Sequence, residues 1–252
     1  MATILVPLPQ TDFDPTETAV PWKILRAAGH AVVFATPDGQ PGHADPRMVT
    51  GAGLGLLAPL LRADANGRAA YAELEASGEL RRPIPYARVD SAAFQAVLLP
   101  GGHAPGMRPY LESPLLQARL VEFFADDKPV GAICHGVLLA ARARAASGRS
   151  ILFGRKTTGL TKLLELSAWA LTCAWLGRYY RTYPETVEDE VKGVLAGAAD
   201  FDRGPLSLTR DSPDNLGAGF TVRDGRYLSA RWPGDAHRFG VEFARLVSSA
   251  QA

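Results

Sequence analysis

The chain has 252 residues, 47% of them hydrophobic, enough for one sizeable core, and α/β folds of this length are commonly single domains. Basic and acidic residues nearly cancel, 27 against 26, with no basic stripe, which argues against a nucleic-acid partner. Two cysteines, Cys134 and Cys173, are too few for a disulfide framework in a chain of this size and read as free thiols in a reducing compartment.

A first strand is expected in "ATILVPLP", which lacks the charged n-region and long apolar core of a signal peptide. "DPTETAVPWKILRAAGH" carries helix signals: Asp14 can cap, Pro15 suits the first helical position, and Glu17 stands three residues after the cap. Pro21 should kink or delay this helix, and Gly29 should end it. "HAVVFATPDG" is a second buried strand, and the resulting βαβ opening implies a parallel sheet. Residues 39–90 break the rhythm with "GQPGHADP", "GAGLGLL" and one helix around 66–77. They read as an insertion covering a pocket.

"FQAVLLPGGHAPG" is a strand running into a glycine turn, and "PLLQARLVEFFADD" an amphipathic helix. "KPVGAI" is a strand leading into Cys134, and "GVLLAARARAA" a helix ended by Ser147-Gly148. "LLELSAWALTCAWLG", 163–177, is too short for a bilayer span and carries Glu165, so it is expected as a buried helix with Cys173 in the core. After a further helix in "PETVEDEVKGVLAG", "GFTVRDGRYLSARWP" suggests a hairpin turning at Asp224-Gly225, and "DAHRFGVEFARLVSS" closes the chain as a helix. A soluble, cytoplasmic protein of one domain over residues 1–252 is expected, with no membrane span.

These elements predict an α/β three-layer sandwich with a mostly parallel, flavodoxin-like central sheet. Ligands bind beyond the carboxyl ends of such strands. That rule brings "PGGHAPG" and "AICHG" to one edge. Cys134 stands on a sharp strand-to-helix turn, where N–H groups and the helix N-terminus favour an anion and should lower the thiol pKa. A buried structural cysteine is the alternative. His135 could be a base, orient a substrate or pack. Glu17 fits a capping box, yet should also reach the Cys134 edge as an acid/base group. Gly101 and Gly102 permit close backbone approach and could supply oxyanion donors, and His103 could contact substrate or metal. With His43 and Asp45 it makes no recognised metal spacing, so no metal and no cofactor are expected. The tyrosines of "GRYYRTYPETVEDEV" read as packing or interface groups.

Together these segments resemble the ThiJ/PfpI superfamily, whose fold is like that of the class I glutamine amidotransferases. "AICHG" is similar to its nucleophile elbow, "PGGHAPG" to its glycine loop, and "ETAVPWKILRAAGHAVVFATPDG" to its first helix and second strand, with Glu17 at the place of the family's acid. The insertion and the later segment order look closest to the larger chaperone and glyoxalase III branch. There a third acid follows a Thr-Gly pair, which here implies Glu165 after Thr158-Gly159. The family's Asn-Pro-x-Ser type segment is replaced by "ARWPGDAH", and His237 and Glu242 do not reproduce the amidotransferase His/Glu pair. The resemblance implies a reactive Cys134 partnered by Glu17, a small-molecule substrate and a homodimer. Three functions follow as expectations: a glutathione-independent glyoxalase acting on a small reactive carbonyl; a thiol hydrolase or hydratase of an amide, peptide or isonitrile, with Glu165 pointing at His135; and a redox sensor or chaperone without turnover.

Overall fold

The sheet is built on apolar strands that are buried on both faces, as parallel strands covered by helices must be. The computed structural model describes residues 1–250. The chain opens with β1 (Thr3–Pro7), α1 (Pro15–Ala27) and β2 (Ala31–Thr36). Short helices α2 (Pro46–Thr50) and α3 (Ala58–Leu61), the longer α4 (Ala65–Ser77) and the edge strand β3 (Ile84–Pro85) follow. Next come β4 (Ala96–Leu99), α5 (Arg108–Leu111), α6 (Pro114–Ala125), β5 (Val130–Ile133) and α7 (Gly136–Arg142). The last third holds α8 (Lys162–Leu176), α9 (Val187–Val194), β6 (Thr221–Asp224), β7 (Tyr227–Ala230) and α10 (Ala236–Ser249).

The strand order is β3-β2-β1-β4-β5-β7-β6. All neighbours pair in parallel except β6, which runs antiparallel to β7. This is the flavodoxin-like order with an added strand at each edge, and it places the switch point between β1 and β4. Helices α1, α4 and α10 pack together on one face, with α6, α7 and α9 grouped on the other. Gly131 in β5 shows how tightly these layers meet: a Cβ there would lie 2.9 Å from the Phe243 ring and 3.0 Å from Phe239.

Several details differ from the sequence expectations. Helix α1 runs without a break through Pro21. The missing N–H removes one intrahelical bond, and the close crossing of α10 at Gly240, where a Cβ would lie 3.2 Å from Pro21 Cα, packs against the helix there. Helix α7 ends at Arg142, because the chain then turns back to pair Arg144 with Ser150. The hairpin register pairs Asp224 with Tyr227, so the two-residue loop is Gly225-Arg226, with Gly225 in the left-handed region at φ 59°.

The largest difference is α8. It is not a buried helix: among its residues only Glu165 and Thr172 are buried, while Leu163, Leu171 and Trp175 are 55%, 49% and 52% exposed. Cys173 is half-buried, not core. The helix lies at the rim of the site and packs on α9, so a sequence that is apolar all round leaves an apolar face outside. Among the described residues no helix is long and apolar enough to cross a membrane.

Candidate active site

The site forms where the loops after β1, β4 and β5 meet. Asp14 caps α1, its Oδ1 accepting from the N–H of Thr16 and Glu17. Only half of the expected capping box is present. Glu17 turns its carboxylate away from the cap, and Oε2 accepts the N–H of Gly101 at 2.9 Å. Gly101 answers with its own carbonyl, which accepts the N–H of Asp14 at 2.9 Å. This exchange clamps the glycine loop to the start of α1. It also explains the glycine: a Cβ at Gly101 would lie 2.6 Å from Glu17 Oε2 and 2.8 Å from Cys134 Cβ.

Cys134 has φ 58°, a conformation that non-glycine residues seldom adopt. Its backbone N–H is held by the Ala230 carbonyl at the end of β7. Gly136 begins α7 so close to β4 that a Cβ would lie 2.2 Å from the Leu99 carbonyl oxygen. A strained residue between a strand and an obligatory glycine is the physical content of a nucleophile elbow.

The electrostatics correct one expectation. Burial pushes the Cys134 thiol up, and any negative charge on Glu17 or Asp14 pushes it the same way. The N–H of His135 favours the thiolate but does not outweigh them. A helix N-terminus alone therefore does not give a low-pKa thiol here. Burial, then Asp14, also raises Glu17 well above the ordinary carboxylate range, which favours its acid form. Asp14 is raised by burial to about 6.

His135 Nδ1 lies 3.5 Å from Cys134 Sγ, and Nε2 lies 3.2 Å from Thr182 Oγ1. The Thr182 hydroxyl donates to the His103 carbonyl, so toward His135 it can only accept. That fixes the tautomer: Nε2 carries the proton and Nδ1 presents a lone pair to the thiol. Burial, reinforced by His103 and Arg142, lowers His135 to about 3, so the ring is neutral. His103 is likewise lowered to about 3 by burial and stacks on Tyr180 with ring centroids 4.3 Å apart. The N–H groups of Gly102 and His103 have no acceptor among the described residues, and both residues line the cavity beside Cys134.

Glu165 does not point at His135. Its Oε2 accepts the N–H of Val187 at 3.0 Å, and Oε1 lies 3.2 Å from Arg181 Nε. The start of α9 claims it, and the hydroxyl of Thr182 takes the histidine position that the triad reading had given to Glu165. Glu165 still lines the cavity, and burial raises it to about 7. Asp45 is held by Tyr179 and by the N–H of Arg47.

Cys134, Glu17 and Gly102 open onto a cavity of about 190 Å³. Residues from the 39–90 segment, including Met48 and Leu61, form part of its wall, and Trp232 and Pro233 of the departing "ARWPGDAH" segment form another. The ion pair between Arg231 and Asp235, buried and 2.8 Å apart, braces that segment. The sequence reading missed Thr182, Arg210 and Tyr180 as site residues. The tyrosine pair was visible as packing. Thr182 and Arg210 lie in loops with no periodicity or motif to single them out.

A seven-stranded, mostly parallel sheet with a strained cysteine elbow at its carboxyl edge is the architecture of the flavodoxin-like, amidotransferase-like class. The family model described as ThiJ/PfpI family-like matches residues 8–193, and the chain belongs to that family. A deglycase of Thermococcus kodakarensis is 27% identical over 164 residues, 65% of this chain and 69% of that protein. Glyoxalase III of Candida albicans superposes with a TM-score of 0.68 at 18% identity, covering 99% of this chain and 97% of that one. The rapid encystment protein of Francisella tularensis gives a TM-score of 0.71 at 16% identity, covering 98% and 99%. At such identities the structural likeness speaks for the fold.

Proposed function

We propose that this chain is a cysteine-dependent enzyme acting on a small reactive carbonyl, converting a 2-oxoaldehyde and water to a 2-hydroxy acid without glutathione. The observation that carries this reading is the strained Cys134, set between the buried Glu17 carboxyl and the bare Nδ1 of His135. A relative named deglycase and a structural neighbour named glyoxalase III are in keeping with carbonyl chemistry. The relative's name also suggests a second substrate form, a carbonyl already condensed with an amine.

In this mechanism Sγ adds to the aldehyde carbon while its proton passes to His135 Nδ1. The oxygen of the hemithioacetal is received by the N–H groups of Gly102 and His103. That oxygen takes the proton back from His135, leaving Nδ1 bare again. His135 Nδ1 then removes the C1 proton while the Glu17 carboxyl protonates the C2 oxygen, giving an enediol. His135 delivers its proton to C2 as the C1 hydroxyl proton passes back to Glu17. This isomerisation changes neither the proton nor the electron count and yields a 2-hydroxy thioester. Water cleaves the thioester, releasing the 2-hydroxy acid and restoring the thiol.

The test is to follow methylglyoxal loss and lactate formation without glutathione in wild type, Cys134→Ser and Glu17→Gln. Lactate from wild type and a loss of about 100-fold or more in both variants is expected. A wild type that turns over neither methylglyoxal nor a larger 2-oxoaldehyde would remove this substrate class.

A further inference from the structure

The cavity is larger and less polar than a three-carbon dicarbonyl requires. A dry cavity of about 150 Å³ already takes a benzene ring, and this one measures about 190 Å³. Beyond Cys134 and Glu17 its wall is largely aliphatic, from Leu160, Leu164, Ala168 and Leu208. Such a wall selects a substrate with an apolar body.

One cation interrupts that wall. Arg210 is half-buried and anchored from the side: its Nη2 donates to the Leu60 and Arg62 carbonyls, and its Cζ lies 5.3 Å from the Trp232 ring. Its Nη1 is buried without a hydrogen-bond partner, and no carboxylate lies within ion-pair distance of it among the described residues. A guanidinium drawn into a protein without a counter-charge is costly unless something else supplies that charge.

The acids that share the cavity supply it only at a distance, since none of them forms an ion pair with Arg210 among the described residues. Asp14 is near enough for Arg210 to stabilise its charge, but its Oδ1 is committed to the cap of α1. Glu17 is committed to Gly101, and Glu165 to Val187 and Arg181. Two further cavity side chains keep buried donors without partners, the Tyr180 hydroxyl and Trp232 Nε1. Three unmatched donors around one cavity lack an acceptor-rich group.

We propose that the substrate bears a carboxylate beyond its apolar body, bound by Arg210 with its reacting carbonyl at Cys134. A carboxylate suits the site better than a phosphate, because a single guanidinium beside Asp14 does not balance a dianion. The proposal rests on the carbonyl reading only for the reacting end. Its test needs no turnover, so failure of the chemistry at Cys134 leaves the result readable.

The experiment is calorimetric titration of the wild type at pH 7.5 with 3-phenylpropionate and with 3-phenylpropionamide, probes that share the apolar body and differ in charge. The acid is expected to bind about tenfold more tightly than the amide. Arg210→Gln is expected to bring the two within about twofold, mainly by weakening the acid. Arg210→Lys, with the charge kept and the fork lost, should retain the preference at lower affinity. Equal binding of acid and amide by wild type, or binding of neither, overturns the proposal. So does a preference for the acid that survives in folded Arg210→Gln. If the Gln variant does not fold, the wild-type and Lys titrations decide: a Lys variant that prefers the amide overturns it.

Discussion

Thr182 links the two histidines of the site: its hydroxyl donates to the His103 carbonyl and accepts from His135 Nε2 at 3.2 Å. One side chain thereby holds the glycine loop and sets which nitrogen of His135 faces the thiol. Thr182→Val keeps the shape and removes both bonds. It should lower kcat by roughly tenfold with little change in fold, whereas Thr182→Ser should retain most of the rate. Steady-state kinetics on the two variants checks this. Equal rates in Val and Ser variants would show that the tautomer of His135 is not set by Thr182.

The glycines at the elbow have different tasks from those in open turns. At Gly136 an added Cβ would meet the Leu99 backbone at 2.2 Å, where neither strand nor helix can give way. At Gly148 the backbone has φ 77° but nothing lies within 4 Å of the added atom. Gly148→Ala should therefore cost about 1 kcal/mol, from backbone strain alone. Gly136→Ala should cost several times that or prevent folding. Urea unfolding of the two variants tests the contrast, and comparable losses would contradict it.

The elbow was legible in the sequence because its constraints are local. A buried strand, a cysteine, a glycine and an abrupt helical pattern follow one another in "AICHG". Glu17 was legible in position, but its direction was not: the capping-box pattern is satisfied at Asp14, while a bond to Gly101, far away in sequence, decides where the carboxylate points. The family resemblance implies Glu165, after Thr158-Gly159, as a third acid that would point at His135. The start of α9 competes for it through Val187 N–H, a contact no local pattern reveals. Helix α8 misled for the opposite reason, since apolar composition reports what a helix could bury and not whether a neighbour covers it.

The thiol offers a further check. With burial and the adjacent acids holding Cys134 up, the thiolate is a minor form at neutral pH and grows as pH rises. Alkylation of Cys134 by iodoacetamide, read by mass spectrometry, should accelerate from pH 7 through pH 9. A rate already level at pH 7 would mean that the N–H of His135 and the helix N-terminus outweigh desolvation. Cys173, half-buried in α8, provides an internal comparison in the same sample.

Glu165 makes the sign of a pH effect testable. Burial raises its pKa from 4.5 to about 7, against the opposing Val187 N–H and Arg181. The folded state thus holds this proton more tightly than the unfolded chain. The favourable contribution is complete below pH 4.5 and is lost as pH rises through about 7. Glu165→Gln does not titrate, and its amide oxygen can still accept from Val187. The variant should therefore gain on wild type between pH 5 and pH 8, by on the order of 2 kcal/mol. Urea unfolding of both proteins at the two pH values measures the difference. A gap that stays constant, or that narrows toward pH 8, would show that pairing with Arg181 outweighs burial and that Glu165 sits in the fold as an ordinary carboxylate.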